Sequence, residues 1–287
     1  MNEAAGTRPT PEHLDIVRRD LRFAFEDLDL RTWHPDGLHV AHFFNALSIF
    51  FPEGEKFFID AVRHYRDRIR SPQLEREVRG FIGQEAMHSR EHRRYNEASA
   101  AAGLPVDELE ARVKEHLAVV RKRTTPADAL AVTIALEHFT AIMADVLLSE
   151  DGILAGADAG MAAIWKWHAV EETEHKAVAF DVYEAAVGRG RAAYWRRVAV
   201  MLGTTLDFWM LVFRYHFALV RADNAARDLR GWWKLFRFLW ITPGGMRKLV
   251  RPWLSYFRRD FHPWQHDNSD AVQRWTAAYA AERSSAA

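Results

Sequence analysis

Apolar side chains recur at three- and four-residue intervals along almost the whole chain, and the alternating runs that mark strands are missing. The pattern therefore predicts an all-α protein. Punctuation between the apolar runs divides it. Pro52 suits the first turn of a helix running to about Arg70. Ser71-Pro72 supplies a cap and first position for a second helix, which stops before Gly103-Leu104-Pro105. Val106 to Arg123 reads as an amphipathic connector. Thr125-Pro126-Ala127-Asp128 repeats the cap for a helix ending at Asp151-Gly152, and another helix spans about Gly160 to Ala186 before Gly188-Arg189-Gly190.

Placed on these helices, the acidic and imidazole side chains fall into a repeated order. Glu55 lies on the first helix and Glu85-Ala-Met-His88 on the second. Glu137 follows on the third long helix and Glu172-Thr-Glu-His175 on the fourth. A Glu and a His three apart share one helical face, within reach of one ion. Chance supplies about one Glu-x-x-His in a chain this rich in both residues, so the spacing alone decides little. The context decides more: each pair has a helix-borne Glu upstream. Two single glutamates with two Glu-x-x-His pairs make the inward-facing ligand set of di-iron and di-manganese bundles. One long crossover between two helix pairs is the connection of ferritin-like folds. Four buried carboxylates would be costly without matching cations, which two divalent metals supply.

Each candidate has rivals. Glu53 competes with Glu55, although Glu53 beside Pro52 could merely complement the helix dipole. His168, Glu171, Glu172 and His175 share one sector of their helix, and Glu171 with His175 is a feasible pair at four-residue spacing. His92 lies one turn beyond His88. His92 and His168 are thus further candidates, as ligands or as neighbours that orient ligands, with the second role expected. Glu91, Glu97 and Glu174 are expected in solvent. Gln84, Asp145 and Tyr183 are candidates for hydrogen bonding to ligands. His262 and His266 have the spacing of a zinc pair, but Pro263 intervenes and no carboxylate base is near. His34, His39 and His42 cluster ahead of the first expected helix.

Composition narrows the classes. The chain has 287 residues, a formal net charge of zero and no cysteine. Thiol nucleophiles, disulfides, zinc ribbons and iron–sulfur clusters are excluded, and neutrality argues against a general nucleic-acid binder. The N-terminal stretch lacks a basic patch followed by an apolar run, so it does not read as a signal peptide and a cytoplasmic location is expected. No P-loop, dinucleotide fingerprint or Gly-x-Ser-x-Gly occurs.

Near Arg191 the character changes, dividing the chain into residues 1–190, the di-metal helical region, and residues 191–287, an aromatic and basic helical extension packed on it. Val198 to Val220 is long enough to span a membrane, but Asp207 near its middle, with Arg214 and His216 beyond, favours a buried helix. The stretch from Trp232 to Trp240 could rest at a bilayer interface or line the mouth of a cavity. Burial of its aromatics against the helices is the expectation.

The words Asn45-Ala-Leu-Ser48, Phe51-Pro52-x-Gly54-Glu55, Phe81-Ile-Gly-Gln-Glu85-Ala-x-His88 and His168-x-x-Glu171-Glu172-x-Glu174-His175-Lys176 resemble the bacterial family of predicted metal-dependent hydrolases. The resemblance extends over most of the chain. It implies a ferritin-like fold: an all-α four-helix bundle with a di-metal carboxylate core, plus the aromatic C-terminal helices. It also implies metal ligation by Glu55, Glu85, His88, Glu137, Glu172 and His175. Carboxylate-rich ligation suits two iron ions, with manganese or zinc as alternatives. The leading expectation is O2-dependent oxidation of an apolar or aromatic small molecule. The alternative is hydrolysis, in which two metals hold a hydroxide and polarise an ester, amide or phosphate. A third reading is a non-enzymatic metal-binding protein docked on a membrane through its C-terminal region. An apolar tail on a neutral chain also makes a homodimer an expectation.

Overall fold

The computed structural model describes residues 10–11, 14–25 and 28–285, with side chains to residue 281. Most of the N-terminal stretch read above for a signal peptide lies outside the described residues. Among those described there is no strand, and ten α-helices carry the fold.

Helix α1, Leu38–Arg63, starts fourteen residues before Pro52. The expectation of a helix beginning at Pro52 is therefore corrected. A proline inside a helix removes one N–H and orphans the carbonyl four residues back. That carbonyl, Ser48 O, accepts a hydrogen bond from Asn96 Nδ2 of α2 at 3.1 Å, so the helix continues. His39 and His42 consequently lie within α1 rather than ahead of it. Helix α2, Pro72–Ala101, has the expected cap, with Ser71 Oγ accepting from Leu74 N. Helix α3, Val106–Arg123, is the connector. Helix α4, Pro126–Ser149, opens on a reciprocal capping box between Thr125 and Asp128.

The fourth expected helix is interrupted. Helix α5, Ala159–His175, ends on the last residue of the second Glu-x-x-His, and α6, Val178–Ala186, follows after a break. At the break the Lys176 ammonium is buried, donating to His266 O and Asn268 Oδ1 at 2.6 Å and lying 4.0 Å from the centre of the Trp264 ring. Burial pushes its pKa down to about 7.

Helices α1, α2, α4 and α5 pack round one another: α1 on α2 and α4, α5 on α4 and α2. Their shared interior holds the site. The remaining helices are α7, Arg191–Ala222, α8, Leu229–Phe236, α9, Gly245–Ser255, and α10, Ser269–Ser285, with a π turn at Arg237–Ile241 following α8. Helix α7 lies on α1 and α4, α8 on α1, α9 on α4 and α10 on α5. A Cβ at Gly231 would meet His39 Nδ1 at 2.1 Å, so only glycine lets α8 come this close to α1.

Among the described residues two helices are long and apolar enough to cross a membrane, α4 and α7. In α4, 72% of the apolar window is buried, as befits a helix enclosed by α1, α5, α7 and α9; in α7 only 22% is. The expectation that α7 is buried is overturned. Its Asp207 reaches the surface to pair with His116 Nε2 at 2.7 Å, while Leu202, Leu206 and Met210 face solvent.

Candidate metal centre

Glu55 on α1, Glu85 and His88 on α2, Glu137 on α4, and His168, Glu172 and His175 on α5 meet between the four helices, each at most 3% exposed. The helical period explains the meeting: 85 and 88, and 168, 172 and 175, recur on inward faces. Among the described residues three sets of donor atoms lie close enough to hold a metal ion: Glu85, Glu137 and His175; Glu55, His88 and His168; and Glu85, His88 and Glu172. Glu172 Oε1 is 3.0 Å from His168 Nε2 and 3.6 Å from His88 Nδ1, and its Oε2 is 3.5 Å from His175 Nε2. His175 Nε2 also stands 3.3 Å from Glu85 and 3.6 Å from Glu137.

Two of the three imidazoles, His175 and His168, are backed by polar groups that fix their protons. Gln84 donates through Nε2 to Val17 O and Glu174, so its Oε1 accepts from His175 Nδ1 at 2.9 Å. Burial lowers the His175 pKa, but Glu172, Glu137 and Glu171 outweigh it and raise it to about 9, so without an ion Nε2 carries a proton. Once that proton leaves, Nε2 turns a lone pair on three carboxylates. A longer chain reaches His168. Asn96 donates both amide protons, to Ser48 O and Glu110, so its Oδ1 accepts from Ser48 Oγ. Ser48 Oγ in turn accepts from His92 Nδ1 at 2.9 Å, and His92 Nε2 accepts from His168 Nδ1 at 2.7 Å. His168 Nε2 thus also turns a lone pair on carboxylate oxygens. Behind His88, Glu171 Oε2 lies 3.1 Å from Nε2.

Lone pairs opposed at about 3 Å repel unless a cation or proton lies between them. Glu55 Oε1, both oxygens of Glu85 and of Glu137, Glu172 Oε2, both nitrogens of His88 and His175 Nε2 are buried without a hydrogen-bond partner. Such a concentration of orphaned donors fits divalent cations. Electrostatics agree. Burial, reinforced by neighbouring carboxylates, raises Glu55 and Glu85 well above the ordinary range and Glu137 to about 8. Burial also pushes Glu172 up, but the protonated His175 beside it outweighs burial and holds Glu172 low. Fully ionised, these carboxylates would carry more negative charge than the cluster's histidines can balance, so without cations they are driven to take up protons.

The sequence left some of this unseen. Arg19 in the N-terminal segment bonds Glu174 at 2.6 and 2.8 Å and Glu171 at 3.3 Å, balancing the carboxylates behind the ligand candidates. Glu174 and Glu91 are buried, not solvated as expected; Glu91 accepts from Arg90, Arg94 and Phe23 N. Glu97 is exposed as expected. Glu53 faces outward to Lys56. Gln84 orients a histidine as expected, but Asp145 accepts from Asn268 and Tyr183 donates to Ala193 O, neither touching the cluster. His262 goes to Asp181 and His266 to Ser255, so that pair does not converge. His34 bonds Ile153 O and His42 bonds Asp223, away from the centre. Nothing in the spacing flags Arg19, because it comes from a segment without helical period.

Two apolar cavities border the cluster. One, of 310 Å³, runs from Glu55 between α1, α3 and α4 to Gly203 and Phe208 of α7. The other, of 90 Å³, runs from His168 and Glu172 to Phe238 and Leu239 of the π turn and to Met246 of α9. Phe51 and Thr140 border both.

A family model described as predicted metal-dependent hydrolase matches residues 17–267. The chain belongs to that family. It is accordingly an enzyme, and its buried Glu and His groups form a centre that could bind metal. The matched span takes in Arg19 and helices α7 to α9 of the aromatic tail as well as every ligand candidate. No curated protein and no solved structure matches the chain.

Proposed function

We propose that the four central helices are a ferritin-like bundle holding two divalent metal ions, and that the enzyme hydrolyses an apolar small molecule. The observation that carries this is the orphaned donor cluster. Glu85, Glu137 and His175 would hold one ion, and Glu55, His88 and His168 the other, with Glu172 close to a histidine of each set. Two such ions supply an activated water and polarise the scissile group. The chain's own residues do the rest. Gln84 and His92 keep a nitrogen lone pair of His175 and His168 turned inward. Phe51, Leu47 and Leu136 wall off water and receive the apolar part of the substrate. In hydrolysis the hydroxyl of water ends on the acyl or phosphoryl atom, and its proton goes to the leaving group.

A second reading is O2-dependent oxidation with two irons. The donor set favours it: all oxygen and imidazole, carboxylate-rich, with no sulfur. Metal analysis of protein purified without added metal, beside a Glu85→Ala/Glu172→Ala variant, tests the centre. About two metals per chain, lost in the variant, are expected. Cleavage of apolar esters by the zinc or manganese form under strict anaerobiosis would support hydrolysis. Oxygen uptake by the ferrous form, with no anaerobic cleavage, would replace it with oxidation. Metal-free protein in both preparations would end both readings.

A further inference from the structure

The tail presents a face that the central helices do not need. On α8 and the π turn, Leu235, Phe238 and Leu239 point into the core, while Trp233, Phe236 and Trp240 are 58, 48 and 42% exposed. Helix α7 continues this face, joined to α8 where Phe217 stacks on Trp232 and to α9 where Trp253 Nε1 donates to Thr205. Its Leu206 is 75% exposed and Met210 64%. Exposed aromatics and aliphatics over three adjoining helices exceed the scattered apolar residues of an ordinary surface.

On the α8–α9 part of this face the charge has one sign, and the acid on the exposed stretch of α7, Asp207, is paired with His116. From Leu229 to Arg259 there are eight Lys and Arg and no Asp or Glu. Arg237, Lys248 and Arg258 pair with Asp36, Glu150 and Asp260, whereas Arg230, Lys234, Arg247 and Arg251 remain exposed beside the aromatics. A second copy would set this basic face against itself under two-fold symmetry, which repels. A bilayer with anionic headgroups satisfies both features: tryptophan and phenylalanine enter the interface, and basic side chains meet the headgroups.

The face also roofs the cavities. The π turn and α9 form the outer wall of the cavity that ends at His168 and Glu172, and α7 forms the outer wall of the one that ends at Glu55. We infer that α7, the α8–π segment and α9 dock on an anionic bilayer, and that the substrate is a membrane-resident amphiphile whose apolar chain passes between these helices to the metal centre. The docking half stands on the surface alone; the substrate half rests on the function proposed above.

Flotation of the full-length protein with phosphatidylglycerol–phosphatidylcholine vesicles, and with phosphatidylcholine alone, tests the docking. Binding to the anionic vesicles is expected to weaken with salt and to be poor on the neutral ones. Lys234→Glu/Arg251→Glu, and separately Trp233→Ser/Trp240→Ser, should each weaken it about tenfold or more while leaving helix content and metal content unchanged. Glu85→Ala/Glu172→Ala should still float, so a failed metal centre and a failed docking face give different results. Absence of flotation with anionic vesicles overturns the inference. So does a concentration-dependent dimer that the Trp233→Ser/Trp240→Ser substitutions dissolve. For the substrate, vesicle-embedded long-chain esters should be cleaved faster than short soluble ones by the native chain, and equally by Lys234→Glu/Arg251→Glu; the reverse order refutes delivery from the bilayer.

Discussion

A histidine binds a metal only through a bare nitrogen, and here which nitrogen is bare is decided by residues that never face the centre. For His168 the decision begins at Asn96, two hydrogen bonds beyond His92. His92→Phe keeps the ring's bulk but removes the acceptor for His168 Nδ1. Metal affinity measured by competition with a chelator should fall about 10- to 100-fold, as for other groups that orient metal-bound histidines; unchanged affinity would mean that His168 orients itself. Arg19 makes the opposite kind of test. Arg19→Met leaves Glu171 and Glu174 buried without their cation, so urea unfolding should show a loss of about 3–5 kcal/mol. A loss below about 1 kcal/mol would show that the pair takes up protons at no cost.

Two buried imidazoles tie the tail to the central helices. His138 of α4 donates to Pro252 O of α9 at 3.1 Å, and His216 of α7 donates to His39 O of α1 at 2.9 Å. Burial lowers their pKa values to about 3 and about 4. A histidine resistant to protonation only when folded contributes stability that is complete above about pH 6.5 and lost as pH falls toward the folded value. Between pH 7 and pH 5 each should cost up to about 2 kcal/mol. His216→Gln should therefore show a shallower fall in urea midpoint over that range than the native chain; parallel curves would contradict the assignment.

Legibility in the sequence follows the reach of each signal. The Glu-x-x-His pairs and both proline caps could be read because helical period and capping act within one turn. The start of α1 could not. Leu38 to Phe51 is apolar on nearly every side, because α2, α3, α4, α7 and α8 all pack against the helix, so no polar stripe reveals its period. Pro52 then reads as a beginning, since the partner that rescues Ser48 O sits forty-eight residues away. Helix α7 was misread for a related reason: Asp207 suggested a compensated interior, and its partner His116 lies on the surface of another element.

At the scale of the molecule, the central helices enclose carboxylates that can ionise together only if cations join them. Metal removal should therefore lower stability as well as activity. Returning a divalent ion to the stripped protein at about 100 times its Kd adds about 2.7 kcal/mol per site, which for a chain this long is roughly 5–10 °C in Tm. Calorimetry of the stripped protein, with and without zinc, manganese or ferrous iron, would show which ion the centre prefers. A melting temperature indifferent to all three would remove the basis for a metal-balanced core.

The proline inside α1 has a consequence for how the chain can change over generations. Ser48, Pro52, His92 and Asn96 form one mechanical unit: the ring at 52 frees a carbonyl, the amide at 96 takes it, and the same amide sets the hydroxyl that sets the imidazole. Ser48, His92 or Asn96 exchanged alone would strand a buried polar group or release a tautomer, whereas a different residue at 52 would return an N–H to Ser48 O. Across related sequences Ser48, His92 and Asn96 should therefore drift together, while a lineage that loses the proline still needs the asparagine to set the imidazole.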